Sequence, residues 1–191
     1  MDVTLVIVTL PFTLPLVAVL AVFLFAESGN PFFLQRRLGR NGRVFRIWKL
    51  RTMVPDADAR LKAYLEQDAD AREEWTRTQK LKKDPRITPL GRFLRKTSLD
   101  ELPQLWNVLR GDMSLVGPRP MMCNQRHMYP GASYYKLRPG ITGAWQISDR
   151  NESEFKSRAA HDTRYDQDLS LFNDLRILAG TVTAVLRGTG Y

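Results

Sequence analysis

The sequence predicts a mostly helical α+β protein whose folded part follows an N-terminal membrane segment. Three patterns point there. Val3 to Phe25 carries no charge, and Thr4, Thr9 and Thr13 are its only hydroxyls. Two short aromatic and β-branched stretches then flank Asn41-Gly42. Beyond them, apolar residues recur at helical spacing, first at Leu102, Leu105, Trp106 and Leu109 and again from Leu171 to Val185.

As a straight helix, Val3 to Phe25 would reach roughly 35 Å at ~1.5 Å per residue, enough for a hydrocarbon core of about 30 Å. A signal peptide fits poorly. No basic region precedes the run, and Glu27-Ser28-Gly29-Asn30 lacks a small-residue cleavage site. Pro11 and Pro15 each remove a backbone hydrogen bond. The run is therefore either a kinked span or a helix–break–helix that enters and leaves by one face, with Thr13 available to serve the freed backbone. Arg36, Arg37, Arg40, Arg43, Arg46, Lys49 and Arg51 follow with no acid among them. Positive-inside bias places that flank in the cytoplasm, where it attracts anionic lipid.

Phe32 to Gln35 and Val44 to Lys49 read as a β-hairpin closed by Asn41-Gly42. Asp56 to Lys83 is charge-rich and suggests one or two solvated helices. Leu90 to Lys96 is a short basic helix, and Leu102 to Leu109 an amphipathic one stopped by Gly111. Gly117 to Gly143, rich in proline and glycine, reads as loop. A last helical region runs from about Asn151 to Leu186. Its stripe of Leu171, Leu175, Leu178, Val182 and Val185 suits a core, with a membrane-surface face as the alternative.

The chain has 191 residues, 43% hydrophobic and 26% charged, which excludes global disorder. A net charge of +9 asks for an anionic partner. A lone Cys123 excludes an internal disulfide, and with only His127 and His161 beside it a zinc site is disfavoured. A resident metal would be a hard, oxygen-bound ion such as Mg²⁺.

Chemistry concentrates at Asp100-Glu101. Taken alone, Ser98 with Glu101 has capping-box spacing, or Asp100 caps the helix itself. Their surroundings are basic: Lys80, Lys82, Lys83, Arg86, Arg92, Arg95 and Lys96 precede them. Arg119 and Arg138 sit beside prolines that stiffen their loops and suit fixed anion contacts. Two acids among arginines fit phosphoryl transfer, one as nucleophile and the other toward Mg²⁺.

The run from Thr88 to Pro120 carries Ser98-Leu99-Asp100-Glu101-Leu102-Pro103-Gln104-Leu105-Trp106-Asn107 and ends in Gly117-Pro118-Arg119-Pro120. It resembles the core signature of the bacterial sugar transferases, the monotopic phosphoglycosyl transferases that act on polyprenol phosphate. The likeness continues through Trp48-Lys49-Leu50-Arg51-Thr52-Met53 and Arg138-Pro139-Gly140-Ile141-Thr142-Gly143-Ala144-Trp145-Gln146, so it covers nearly the whole chain.

That resemblance implies transfer of a sugar-1-phosphate from a nucleoside-diphosphate sugar, usually a UDP-hexose, to undecaprenyl phosphate with release of UMP. The step initiates polysaccharide or glycoconjugate assembly. It further implies Asp100 as a nucleophile forming an aspartyl phosphosugar, and Glu101 as the Mg²⁺-linked acid, with Mn²⁺ a possible substitute. Lys49, Arg51, Arg95 and Arg119 become pocket residues, with Gln146, Arg150 and Asp162 in nucleotide, sugar or supporting roles. The anchor, residues 1–30, becomes a re-entrant membrane helix broken at Pro15. Residues 31–191 become a compact catalytic domain with interfacial helices on the cytoplasmic face of a bacterial inner membrane. Membrane lipids are partners, and a homodimer is the expected assembly. Two departures stand out. Family chains usually carry a basic pair and further residues ahead of the position matched by Asp2, whereas this one begins at Met1. They also carry glycine where Asp149 precedes Arg150.

Two other readings compete. A nucleic-acid binder would explain the charge, but no nucleic-acid motif is present and the apolar N-terminus would have no purpose. A membrane-surface scaffold would use its acids only for capping and would turn over no UDP-sugar.

Overall fold

Helix α1 (Asp2–Ser28) runs through both prolines without interruption. Pro15 therefore does not end the helix, as the sequence suggested. It withholds an N–H from the Pro11 carbonyl, which leaves the helix free to bend there. The Thr13 hydroxyl does not serve that carbonyl either; it donates to the Thr9 oxygen at 3.1 Å. Gly29 stops the helix in the left-handed region, φ 72°, and returns its N–H to Phe25 at 2.8 Å. This computed structural model describes residues 1–79, 81–148 and 155–187, so Lys80, Asp149, Arg150 and Asn151 lie outside the described residues.

Both ends of α1 meet the same folded body. Asp2 accepts a 2.8 Å hydrogen bond from the Ser114 hydroxyl, and Glu27 accepts one of 3.1 Å from Thr88. Val6, fully buried, joins a core of Ile47, Val108, Met113, Leu115, Val116, Tyr165 and Ile177. Leu20 and Leu24 join a second core with Leu50 and Leu94. Between these anchors the helix is bare: Phe12 is 79% exposed.

The hairpin forms as expected, β1 (Phe32–Leu38) antiparallel to β2 (Val44–Leu50). Asn41 and Gly42 supply the two positive φ angles of its turn, 57° and 73°. Helices α2 (Ala57–Gln67) and α3 (Ala69–Thr78) are the two solvated helices, and α4 (Pro89–Lys96) the basic one. Thr88 caps α4 by accepting from the Gly91 N–H at 2.9 Å. Gly91 lies against the Thr52 backbone so closely that a Cβ there would collide with it. This contact sets the distance between α4 and the end of β2.

Asp100 does not start the amphipathic helix. Ser98 adopts the left-handed conformation, φ 56°, and makes no side-chain cap. Leu99–Glu101 is one 3₁₀ turn, and α5 (Gln104–Leu109) begins only after Pro103. The buried face of α5 is Gln104, Asn107 and Val108, whereas Trp106 is exposed. Asn107 explains the polar face. It accepts from the Trp48 N–H at 3.0 Å and donates to the Arg46 carbonyl at 2.8 Å, filling the open edge of β2.

The proline- and glycine-rich stretch holds more order than expected. β3 (Ser114–Val116) pairs in parallel with β4 (Gly140–Thr142), and a short 3₁₀ segment and α6 (Ser133–Lys136) lie between them. Gly117 and Gly140 allow the two backbones to pass where any side chain would clash. A third core of Leu38, Met121, Tyr129, Tyr134 and Phe155 fills this end.

After α7 (Ala144–Ile147) the final helical region divides into α8 (Arg158–Gln167) and α9 (Leu171–Leu186). Ser170 caps α9 through the Asn173 N–H. The expected core stripe turns outward instead: Leu171, Leu175 and Val182 are exposed, beside Phe172 at 80%. Ile177 makes the buried contact, and the Thr181 and Thr142 hydroxyls bond at 2.6 Å.

Candidate active site

A cavity of about 440 Å³ lies between the hairpin, α4, the Leu99–Glu101 turn and the Gly117–Met122 segment. Strand alternation builds one wall. Phe33, Gln35 and Arg37 of β1 share a face with Ile47 and Lys49 of β2, and all five line the cavity. Asp100 and Glu101 project from the short turn, 6% and 9% exposed.

Lys49 holds the acids. Its Nζ donates to Glu101 Oε1 at 2.7 Å and lies 3.5 Å from Asp100 Oδ2. Arg119 Nη2 approaches Glu101 Oε1 at 3.5 Å. Burial pushes the Asp100 carboxyl above the ordinary carboxylate range; Lys49, Arg95 and Arg119 pull it back down, while Glu101 adds to the rise. Desolvation likewise lowers Arg95, whose Nε donates to the Thr52 hydroxyl at 2.8 Å. Arg51 lines the cavity and donates to the Phe32 carbonyl at 3.3 Å.

Lys49, Arg51, Arg95, Asp100, Glu101 and Arg119 thus converge, as the sequence led one to expect. Arg138 does not. It points to the start of α1, where its Nη2 lies 3.6 Å from Asp2 Oδ2. The flanking proline stiffens the loop without aiming the guanidinium into the cavity. Gln146 is buried under α7, bonding the Ile141 carbonyl at 3.4 Å. Asp162 sits behind the cavity, accepts from the Tyr129 hydroxyl at 2.7 Å, and is lifted to about 6, chiefly by burial.

Sequence reasoning missed three cavity arginines as site residues: Arg37, Arg158 and Arg86, the last paired with Asp84. Arg37 was legible in principle, since it lies an even number of residues from its cross-strand neighbours on the Lys49 face. Arg158 lies far along the chain with no local motif. Its guanidinium stacks 4.2 Å from the Trp145 ring and 4.6 Å from Phe155.

Among the described residues no group of three His, Cys, Asp or Glu side chains forms a metal cage. Asp100 and Glu101 together offer hard carboxylate oxygens. That set fits a Mg²⁺ ion that takes its remaining ligands from phosphate and water.

Three relatives match most of this chain. The pattern that defines the bacterial sugar transferases matches residues 1–188. The exopolysaccharide production protein ExoY of Rhizobium meliloti is 46% identical over 174 residues, covering 90% of this chain and 77% of ExoY. The UDP-galactose-lipid carrier transferase of Erwinia amylovora is 45% identical over 93% of this chain but only 38% of its own length. The undecaprenyl-phosphate galactose phosphotransferase of Salmonella typhimurium is 47% identical over 86% of this chain and 35% of its own. The chain therefore spans little more than a third of these two longer relatives.

Proposed function

Since the chain belongs to the bacterial sugar transferase family, we propose that it moves the sugar-1-phosphate of a UDP-hexose onto undecaprenyl phosphate and releases UMP. The observation that carries this reading is the buried Asp100 carboxylate, ringed by Lys49, Arg95 and Arg119 in a cavity of nucleotide-sugar size. The names of the Erwinia and Salmonella relatives make galactose the first sugar to try.

In this reading Asp100 attacks the sugar-bearing phosphorus. Its new O–P bond forms as the bond to the UMP oxygen breaks, and UMP leaves with the electron pair. A phosphate oxygen of the lipid then attacks the same phosphorus and frees Asp100. Two anionic substrates from different phases need never meet, and one hard step becomes two easier ones. Burial makes Asp100 more basic than an exposed carboxylate, while Lys49 keeps its charged form accessible. Arg95 and Arg119 neutralise oxygens of the transferred group, where fixed charge does most for the rate. Glu101, with Asp100, would hold Mg²⁺, which when bound supplies further neutralisation of diphosphate charge.

Helix α1 serves as the anchor. Its two ends are tied to one body and its middle is bare, which supports a helix that dips into the cytoplasmic leaflet of the inner membrane and returns. The outward apolar residues of α9 and exposed Trp106 suit the same lipid surface.

Incubation with UDP-galactose or another UDP-hexose, without lipid, is expected to release up to one UMP per active site. It should leave a labelled adduct on the peptide containing Asp100. UMP release that waits for undecaprenyl phosphate, with no trappable adduct, would mean direct transfer and another role for Asp100.

A further inference from the structure

Arg37, Arg119 and Arg158 line the cavity and lie close enough to repel one another. Arg119 lowers the affinity of both neighbours for their protons, and Arg37 does so for Arg158. Desolvation adds the larger part, taking Arg37 to about 10 and Arg158 to about 9. The Nε atoms of Arg37 and Arg158 are shut from solvent and have no hydrogen-bond partner among the described residues. Among the described residues, the hydrogen-bond and stacking partners of these guanidiniums are neutral. Arg37 donates to the Pro120 carbonyl at 3.3 Å and to Gln35 Oε1, and Arg158 stacks on Trp145 and Phe155. Of the nearby acids, Glu101 is bonded to Lys49, and Asp162, engaged by Tyr129, attracts Arg158 but acts on it less than burial and Arg119 do. Arg86, on the same cavity wall, shows the contrast. It forms a two-pronged pair with Asp84 at 2.7 and 2.8 Å and is satisfied.

Like charges held together and desolvated cost stability unless an anion joins them. We propose that Arg37 and Arg158, with Arg119, form the subsite that holds the phosphate of the departing nucleoside monophosphate. This assignment rests on the transferase reading and extends it from the transferred phosphate to the one left behind. A phosphate monoester is the fitting ligand, because each guanidinium fork can present parallel donors to its oxygens. The nucleotide is its source. Arg37 and Arg158 border the core of Leu38, Met121, Tyr129, Tyr134 and Phe155, whereas α1 packs on the other two cores. The subsite therefore lies away from the lipid-facing helix, and the lipid phosphate has Lys49 and Arg95 nearer to it. Arg119 touches Glu101 and repels both other arginines, so it bridges the two phosphate positions.

The test is direct binding of UMP to the full chain in detergent micelles, with uridine and a short-chain polyprenyl phosphate as comparison probes. Arg37→Met and Arg158→Gln are each expected to weaken UMP about tenfold, the value of one charge-assisted hydrogen bond. Uridine and polyprenyl phosphate should bind as before. Thermal midpoints should not fall for Arg37→Met, since a repelled, desolvated charge has been removed. Circular dichroism checks the fold, and Arg37→Met carries the test alone if Arg158→Gln fails to fold. Unchanged UMP affinity in folded variants overturns the proposal, as does a loss confined to polyprenyl phosphate. Arginine-dependent UMP binding by a wild type that transfers no sugar phosphate keeps the subsite and removes the transferase reading. Normal transfer with unchanged UMP affinity in the variants does the reverse.

Discussion

Replacing Asp162 with asparagine isolates the cost of a buried carboxyl. Its rise from 3.8 to about 6 corresponds to about 3 kcal/mol, at about 1.4 kcal/mol per pH unit. The residue is 6% exposed, so solvent screening discounts little of this. The sign follows from proton binding: the folded state holds the proton more tightly than the unfolded chain. Stability therefore falls as pH climbs from 3.8 to about 6 and levels off above. Asp162→Asn removes this penalty but weakens the bond from Tyr129, a loss of about 1 kcal/mol. The expected outcome is a variant about 1–2 kcal/mol more stable than wild type at pH 7.5 and no more stable at pH 4. Urea unfolding followed by tryptophan fluorescence across that range measures it, since Trp145 stacks on the neighbouring Arg158. If wild type and variant keep parallel stability curves between pH 4 and 7, Asp162 does not titrate in this window and the reasoning fails.

Lys49→Gln removes the main influence opposing burial at Asp100, so the acid limb of the pH–rate profile should move to higher pH; an unmoved limb would show that Lys49 does not set that carboxyl. Glu101→Gln should cut turnover severely and weaken its dependence on Mg²⁺ in a folded protein, whereas full wild-type activity in excess chelator would exclude a metal role. Gly91→Ala should cost about 1–3 kcal/mol by forcing α4 off the Thr52 backbone, read as a lower thermal midpoint. Cysteines placed at Asp2 and at Arg40 should label from the same side of sealed vesicles; labelling from opposite sides would refute the re-entrant anchor. In the same assay Pro15→Ala, which restores a backbone donor, should shift molecules toward spanning.

How much of this was visible beforehand depended on whether local chemistry or long-range packing decided the matter. Asn41-Gly42 demands a tight turn, so the hairpin could be read directly; its register could not, because the loop spans Gly39 to Arg43 and Leu38 pairs with Val44, one residue out of step with a two-residue turn. The Lys49, Asp100, Glu101, Arg95 and Arg119 cluster was legible through dense motifs and charge. The parallel pair of β3 and β4 was not, because each strand is three residues long and their pairing depends on glycines remote in sequence. Period alone placed Leu171, Leu175 and Val182 on one stripe without saying whether protein or lipid covers it. Arg138 misled because proline reports stiffness, not direction. Ser98 misled because a left-handed backbone cannot be read from a capping spacing.

The double attachment of α1 bears on how the chain reaches its membrane. A helix of 27 residues is roughly 40 Å long; in the re-entrant arrangement proposed above, a bend near its middle would halve that reach and keep it within a single monolayer of a core about 30 Å thick. In that arrangement Asp2, bonded to Ser114 and beside Arg138, and Glu27, bonded to Thr88, stay on the face from which they start. A segment so held would enter by wedging apart the lipids of one monolayer. Such a wedge enlarges the area of that monolayer alone. On the proposed reading, a high density of the protein would favour membrane that bulges toward the face carrying the folded body, coupling the site of its reaction to local curvature.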